Sequence, residues 1–209
     1  MAKELPISFT TKMNKAILAK HKTVFRWVIK IGYPGFYRYA TLLSDGTYKF
    51  DGYGTADFKF HKPRYQVGDK LWVKESYCHG IEWDDCKPSE VDPLCGGNDI
   101  WYLADGPRPT EGWGKTRSGM FMPKWAARTW LEVVSVRPER LQDITEEDCW
   151  KEGIDKHEAE KLPYINKLGV GCATATYSNQ WDSINAKRGY PWEGNWWVFR
   201  YEFKEAKRQ

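Results

Sequence analysis

Long apolar runs are missing from this chain of 209 residues. No stretch approaches the ~20 consecutive apolar residues of a membrane helix, so no spanning helix and no membrane partner is expected. The first residues, MAKELPISF, lack the apolar core of a secretory signal, and the sequence reads as cytoplasmic. Histidine is scarce: His21, His61, His79 and His157 leave little material for a nucleophile triad. There is no Walker loop, no Gly-rich dinucleotide turn, no His-Glu-x-x-His and no Gly-x-Ser-x-Gly, which argues against most large enzyme classes and implies no cofactor. The five cysteines are odd in number and include no Cys-x-x-Cys pair, so a disulfide framework is not expected. Cys78, His79, Cys86 and Cys95 can be drawn as a zinc site, but in a polar, acidic loop reduced cysteines and no metal are the reading taken. Repeats, heptads and low-complexity tracts are also lacking.

Aromatic residues, by contrast, are abundant. They make up 16% of the chain, with twelve tryptophans; most should fill a core, and a minority suit the stacking of bases. Hydrophobic residues at 41% and charged residues at 29% fit one globular domain over residues 1–209. The net charge of +4 conceals asymmetry. Residues 1–30 carry seven Lys or Arg against Glu4, whereas residues 81–100 carry six acids against Lys87. Residues 143–160 carry eight acids against Lys151 and Lys156. A basic N-terminal edge suits a polyanionic partner.

The local pattern is mostly strand. Thr10 or Thr11 caps a helix to about Ala19, with Met13, Ala16 and Ile17 as its buried stripe. TVFRWVIK then alternates as a strand, Asp45-Gly46 marks a hairpin, and Lys70–Tyr77 forms another strand. Residues 78–118 make a long polar loop broken by a short strand at IWYLAD. A strand over Thr129–Arg137 leads to a short helix capped by Thr145 and stopped at Gly153. Residues 155–176 are poorly patterned, SNQWDSINAKRG suggests a short helix, and the chain ends on a strand with Trp197, Phe199, Tyr201 and Phe203 on one face. Strands with a few short helices predict a mainly β (α+β), largely antiparallel small barrel with flanking helices and one long inserted loop.

Glu75 is the most informative position. It shares a face with Leu71 and Val73, so it should point indoors, where a carboxylate needs a partner. Arg26, between Val24 and Val28, also points indoors and is the candidate partner, with Arg128 as the alternative. Lys22 and Thr23 occupy the turn after the first helix, where a lysine with backbone N–H groups can hold a phosphate or polarise a carbonyl. MPKWAAR places Lys124, Trp125 and Arg128 together, the charge-plus-ring combination that grips single-stranded nucleic acid.

Four blocks, PISFTTKMNKAILAKHKTVFR, VGDKLWVKESY, MFMPKWAARTWLEVVSVRPERLQDITEEDCWKEGI and WDSINAKRGYPWEGNWWVFRYEF, resemble ASCH-domain proteins of phages and prophages, in the PUA-like superfamily. The resemblance spans nearly the whole chain in order and implies a PUA-like β-barrel with a cleft for RNA or modified nucleotides. The family signature is Gly-x-Lys-x-x-(Glu or Thr)-x-Arg. Here Lys20 replaces the glycine, Lys22 is kept, Phe25 replaces the polar residue and Trp27 the arginine, with Arg26 one place earlier. Some members resemble amidohydrolases of acetylated cytidine that use a lysine, a threonine and a distant glutamate. Lys22 and Glu75 match the first and last, but Phe25 stands at the threonine.

Three functions follow as expectations. The favoured one is binding of RNA or single-stranded nucleic acid through Lys20, Lys22, Thr23, Arg26, Lys124, Trp125 and Arg128. A second is a small hydrolase of a nucleoside amide or RNA, with Lys22 and Glu75 as catalytic groups. A third is a phage protein that binds a host protein through its acidic loop. The sequence gives no oligomeric state.

Overall fold

Thr10 starts the first helix: its hydroxyl accepts from the Met13 N–H at 3.3 Å, satisfying one of the free donors of α1 (Thr11–Leu18). The structure is a computed structural model that describes residues 2–32, 35–53, 57–91, 99–160 and 172–208. It consists of two compact units, each assembled from separated segments. One comprises Met1–Lys20, Gly68–Val133 and Lys204–Gln209; the other comprises His21–Val67 and Val134–Phe203.

In the first unit β1 (Glu4–Ser8) pairs in parallel with β6 (Lys70–Lys74), which pairs antiparallel with the start of β9 (Trp130–Arg140). The parallel pair is a departure from the largely antiparallel pattern expected. Pro6 is tolerated because β1 is the sheet's edge strand, where a missing N–H costs no ladder bond. Alternation in β6 buries Leu71 and Val73. A two-stranded ribbon of β7 (Tyr77–His79) and β8 (Ile100–Tyr102) follows, with β8 where IWYLAD predicts a strand.

In the second unit β2 (Val24–Val28) pairs antiparallel with β10 (Trp197–Ala206), which neighbours β9. The expected face of β10 is buried: Trp197, Phe199, Tyr201 and Phe203 pack indoors, and so do Val198 and Arg200 on its other side. A separate antiparallel sheet contains β3 (Tyr37–Leu42), β4 (Tyr48–Gly52) and β5 (Phe58–His61). Phe50 and Tyr48 of β4 face the core, where Phe50 meets Trp197 edge-on and Tyr48 meets Phe199. Gly52 has no room for a side chain, because a Cβ there would collide with the Phe36 ring.

Helices α2 (Glu146–Lys151), α3 (Lys156–Glu160) and α4 (Cys172–Asn185) complete this unit. Thr145 caps α2 by accepting from the Asp148 N–H at 3.1 Å, and Gly153 adopts a φ of +84° just past its end, as the sequence predicts. Leu141, Ile144, Cys149, Tyr177, Trp181 and Val198 form the core beneath these helices. The poorly patterned stretch resolves into α3 and an earlier start for α4, while residues 161–171 lie outside the described residues. The protein is thus mainly β with short helices, as expected.

Candidate functional site

Strand β6 stops at Lys74 rather than running to Tyr77. The reason is local: the Glu75 N–H donates to the Met122 Sδ at 3.1 Å, and Gly119 lies against the Glu75 backbone. A Cβ on Gly119 would sit 2.9 Å from the Glu75 carbonyl carbon and 3.0 Å from its oxygen. The turn aims the Glu75 side chain indoors, where only 1% of the residue is exposed.

Its partner is Arg128. The guanidinium donates from Nε to Glu75 Oε1 at 3.1 Å and from Nη2 to Oε2 at 3.0 Å, a bidentate fork. A third donor, Nη1, reaches Asp105 Oδ2 at 2.7 Å, and the guanidinium lies 3.9 Å from the centre of the Tyr102 ring. Tyr102 is itself fixed, its hydroxyl donating to the Ala126 carbonyl at 2.7 Å, and burial pushes its phenol up to about 12. Burial opposes the charge on Arg128, but the hydrogen bonds to Glu75 and Asp105 outweigh it and raise its pKa. A guanidinium has five N–H donors, and three are used here; the other two have no partner among the described residues. The side chain is 28% exposed, so those donors belong to a held, solvent-reaching group.

This geometry changes the role expected of Glu75. Both its oxygens accept from one guanidinium, so it orients Arg128 instead of standing free as a general base. The expected Arg26 partnership gives way to the Arg128 alternative.

Arg26 and Lys22 belong to a second, buried cluster in the other unit. Lys22 Nζ donates to Glu152 Oε2 at 2.6 Å, to the Glu152 carbonyl at 2.9 Å and to the Val24 carbonyl at 2.8 Å. Arg26 donates to Glu152 Oε1 at 2.9 Å, to Asp148 Oδ2 at 2.8 Å and, from Nε, to Glu139 Oε1 at 2.8 Å. Arg200 forks onto Asp148 at 2.9 and 3.3 Å. The Tyr177 hydroxyl donates weakly to Glu152 Oε1 at 3.4 Å. Burial lowers the Lys22 pKa, offset only in part by Glu152. Burial also works against ionisation of Asp148, but Arg200 and Arg26 overcome it and hold that carboxyl below its ordinary value.

The lysine of the signature is therefore an interior group whose three donors go to its own chain. A phosphate cannot reach it without breaking that pairing, which is the correction to its expected roles as phosphate contact and catalytic group. Arg26, with its three carboxylate partners, is corrected in the same way. Thr23 is half-buried, its N–H donating to the Lys151 carbonyl at 2.8 Å and its carbonyl accepting from Phe203 at 2.9 Å.

Lys20 alone of that group is exposed, in the left-handed region with φ +60°. That is the backbone glycine adopts freely, and glycine is what the resembled signature carries there. Lys124 pairs with Glu4, with its ammonium 5.6 Å from the Trp130 ring centre. Trp125 packs on the Tyr77, Met122 and Ala126 cluster and tilts against His79 at 6.1 Å. The structure thus gathers Lys124, Trp125, Arg128 and Glu75 within one unit and Lys22, Thr23 and Arg26 within the other. Asp105, Tyr102, Glu139, Asp148 and Glu152 escaped the sequence reading; the only signal for the four carboxylates was the acidity of their segments, and Tyr102 carried none.

Among the described residues no group of three or more His, Cys, Asp or Glu is placed to hold a metal ion, and Cys95 lies outside them. No described helix is long and apolar enough to cross a membrane.

No family model matches the chain, and no curated protein does. Among solved structures the chain is similar to one described as a high resolution crystal structure of an ASCH domain from Lactobacillus crispatus JV V101. Identity is 10%, coverage is 97% of this chain and 79% of that one, and the TM-score is 0.41.

Proposed function

We propose that the protein binds single-stranded nucleic acid, RNA or a modified base within it, with Arg128 as the group that reads a base edge. One observation carries this: a partly exposed guanidinium locked by Glu75 and Asp105, laid on Tyr102, with two N–H donors uncommitted among the described residues. Arginine offers a planar fork that pairs with two acceptors at once, and a fork held in advance loses little entropy on binding. The four sequence blocks that resemble phage and prophage ASCH proteins support the same class, a PUA-like reader of RNA or modified nucleotides. Trp125 and Lys124, three and four residues before Arg128 in the chain, add a ring and a charge to the same segment.

Fluorescence anisotropy with labelled RNA and single-stranded DNA oligomers of mixed sequence tests the reading. Arg128→Lys keeps the charge but removes the fork, and should weaken binding by roughly 5- to 150-fold, the ~1–3 kcal/mol of a bidentate base contact. Equal affinity for Arg128→Lys and the parent would remove Arg128 from recognition. Absence of binding by the parent at low salt would remove the function itself.

A further inference from the structure

The second unit carries a sheet with one face on the core and the other bare. Register sets out the bare face as two rows across β3, β4 and β5: Tyr39, Asp51 and Phe58, then Thr41, Lys49 and Phe60. The alternate residues Tyr48 and Phe50 go inward. Tyr39 is 67% exposed, Phe58 46% and Phe60 52%. Three large rings are thus held in solvent on the two outer strands of the sheet, Phe58 and Phe60 edge-to-face at 5.3 Å.

Exposed rings gathered on one face mark an interaction site, and the face is not that of an aliphatic interface. None of its six positions is Leu, Ile, Val or Met. The cations lie among and around the rings. Lys49 Nζ is 5.1 Å from the Phe58 ring centre, and Arg38 lies 3.8 Å from the ring of exposed Tyr53. Residues 35–67 as a whole hold five Lys or Arg against Asp45, Asp51 and Asp57, although Lys59, in register with inward Phe50, belongs to the other face. Two of those acids are engaged: Asp51 by Lys49 at 2.6 Å, and Asp45 by its own hairpin, accepting from Thr47 at 2.9 and 2.8 Å.

We infer that this face is a stacking platform for the bases of a single-stranded nucleic acid, with Tyr39, Phe58 and Phe60 under the bases and Lys49 and Arg38 toward the phosphates. Every base has a π-face, so rings in a positive field give sequence-tolerant grip. Strands about 4.8 Å apart place Tyr39 and the β5 rings roughly 10 Å from each other, room for more than one base. The inference rests on the nucleic-acid reading above but uses a different surface, so the two fail separately.

Anisotropy with a labelled eight-nucleotide oligouridine and its oligothymidine counterpart gives the test. The rings are exposed, so Phe58→Ala, Phe60→Ala and Tyr39→Ala should leave circular dichroism and melting unchanged. Each should weaken binding about tenfold, and Phe58→Ala with Phe60→Ala about a hundredfold, on the scale of base–aromatic stacking. Phe60→Tyr should retain affinity and Phe60→Leu should lose it, which separates stacking from greasy contact. Ring variants that bind like the parent, while Arg128→Lys weakens, would overturn the platform and leave the base reader standing. A parent that binds neither oligomer would overturn the platform, which should be sequence-tolerant, while the base reader is judged by the mixed-sequence oligomers. A concentration-dependent dimer in light scattering that the ring variants dissolve would assign the face to a second copy of the chain and overturn the platform as well.

Discussion

Glu152 answers two cations with one carboxylate, and its removal is expected to be severe. In Glu152→Gln the Lys22 ammonium keeps its burial but loses its counter-charge, a change that typically costs about 3–5 kcal/mol. A urea melt should show that loss, and a midpoint shift under ~0.5 kcal/mol would show that the pair is dispensable. Lys20 offers the opposite sign. At φ +60° its Cβ crowds the following carbonyl oxygen, so Lys20→Gly should stabilise by about 1 kcal/mol in the same melt. Lower stability in that variant would mean the lysine side chain contributes more than the backbone costs. These two residues also mark what was readable. The indoor position of Arg26 follows from strand alternation, whereas that of Glu75, expected on the same ground, is set by the turn just past the end of β6. The partner of each does not, because Glu152 and Arg128 stand 126 and 53 residues away, and a charge pattern carries no address.

Among the elements, those with a chemical signature at their ends were legible. Thr10 and Thr145 cap α1 and α2, Gly153 ends α2, and the alternating rings of β10 announce a buried strand. The break between β6 and β7 was not, since it depends on Met122 and Gly119 from a distant segment. Gly119→Ala should therefore disturb Glu75 and, through it, Arg128; the measurement is oligonucleotide affinity, expected to fall, and unchanged affinity would show that the backbone there yields without cost. Helix α2 carries the acid sensitivity. Asp148 has a folded pKa below its unfolded value, so its ion pairs with Arg26 and Arg200 contribute fully above about pH 4 and are lost as pH falls lower. Melting temperature should drop below about pH 4 less steeply in Asp148→Asn than in the parent, although the variant starts less stable. Parallel slopes would take Asp148 out of the acid transition.

For the molecule as a whole, composition overstated the basic N-terminal edge. Of the seven cations in residues 1–30, Lys22 and Arg26 are spent on interior carboxylates, which leaves fewer to meet phosphate. Single-strand affinity should accordingly depend on salt only moderately. With one to four phosphates neutralised, log K against log salt should slope about −0.7 to −3, and a slope near zero would argue against phosphate contact altogether. The fold class was visible in the sequence as strands and short helices. The arrangement as two compact units of interleaved segments was not, because segment spacing does not reveal which strands share a core.

That interleaving has a consequence for synthesis. Lys22 emerges from the ribosome 130 residues ahead of Glu152, and β2 waits longer still for its partner residues 198–202. At ~5–20 residues per second Lys22 waits roughly 7–26 s for Glu152, just past the end of α2, and β2 stays unpaired for longer. The second unit is therefore obliged to assemble late, and its early half travels exposed to chaperones and to neighbouring nascent chains until the closing strand arrives.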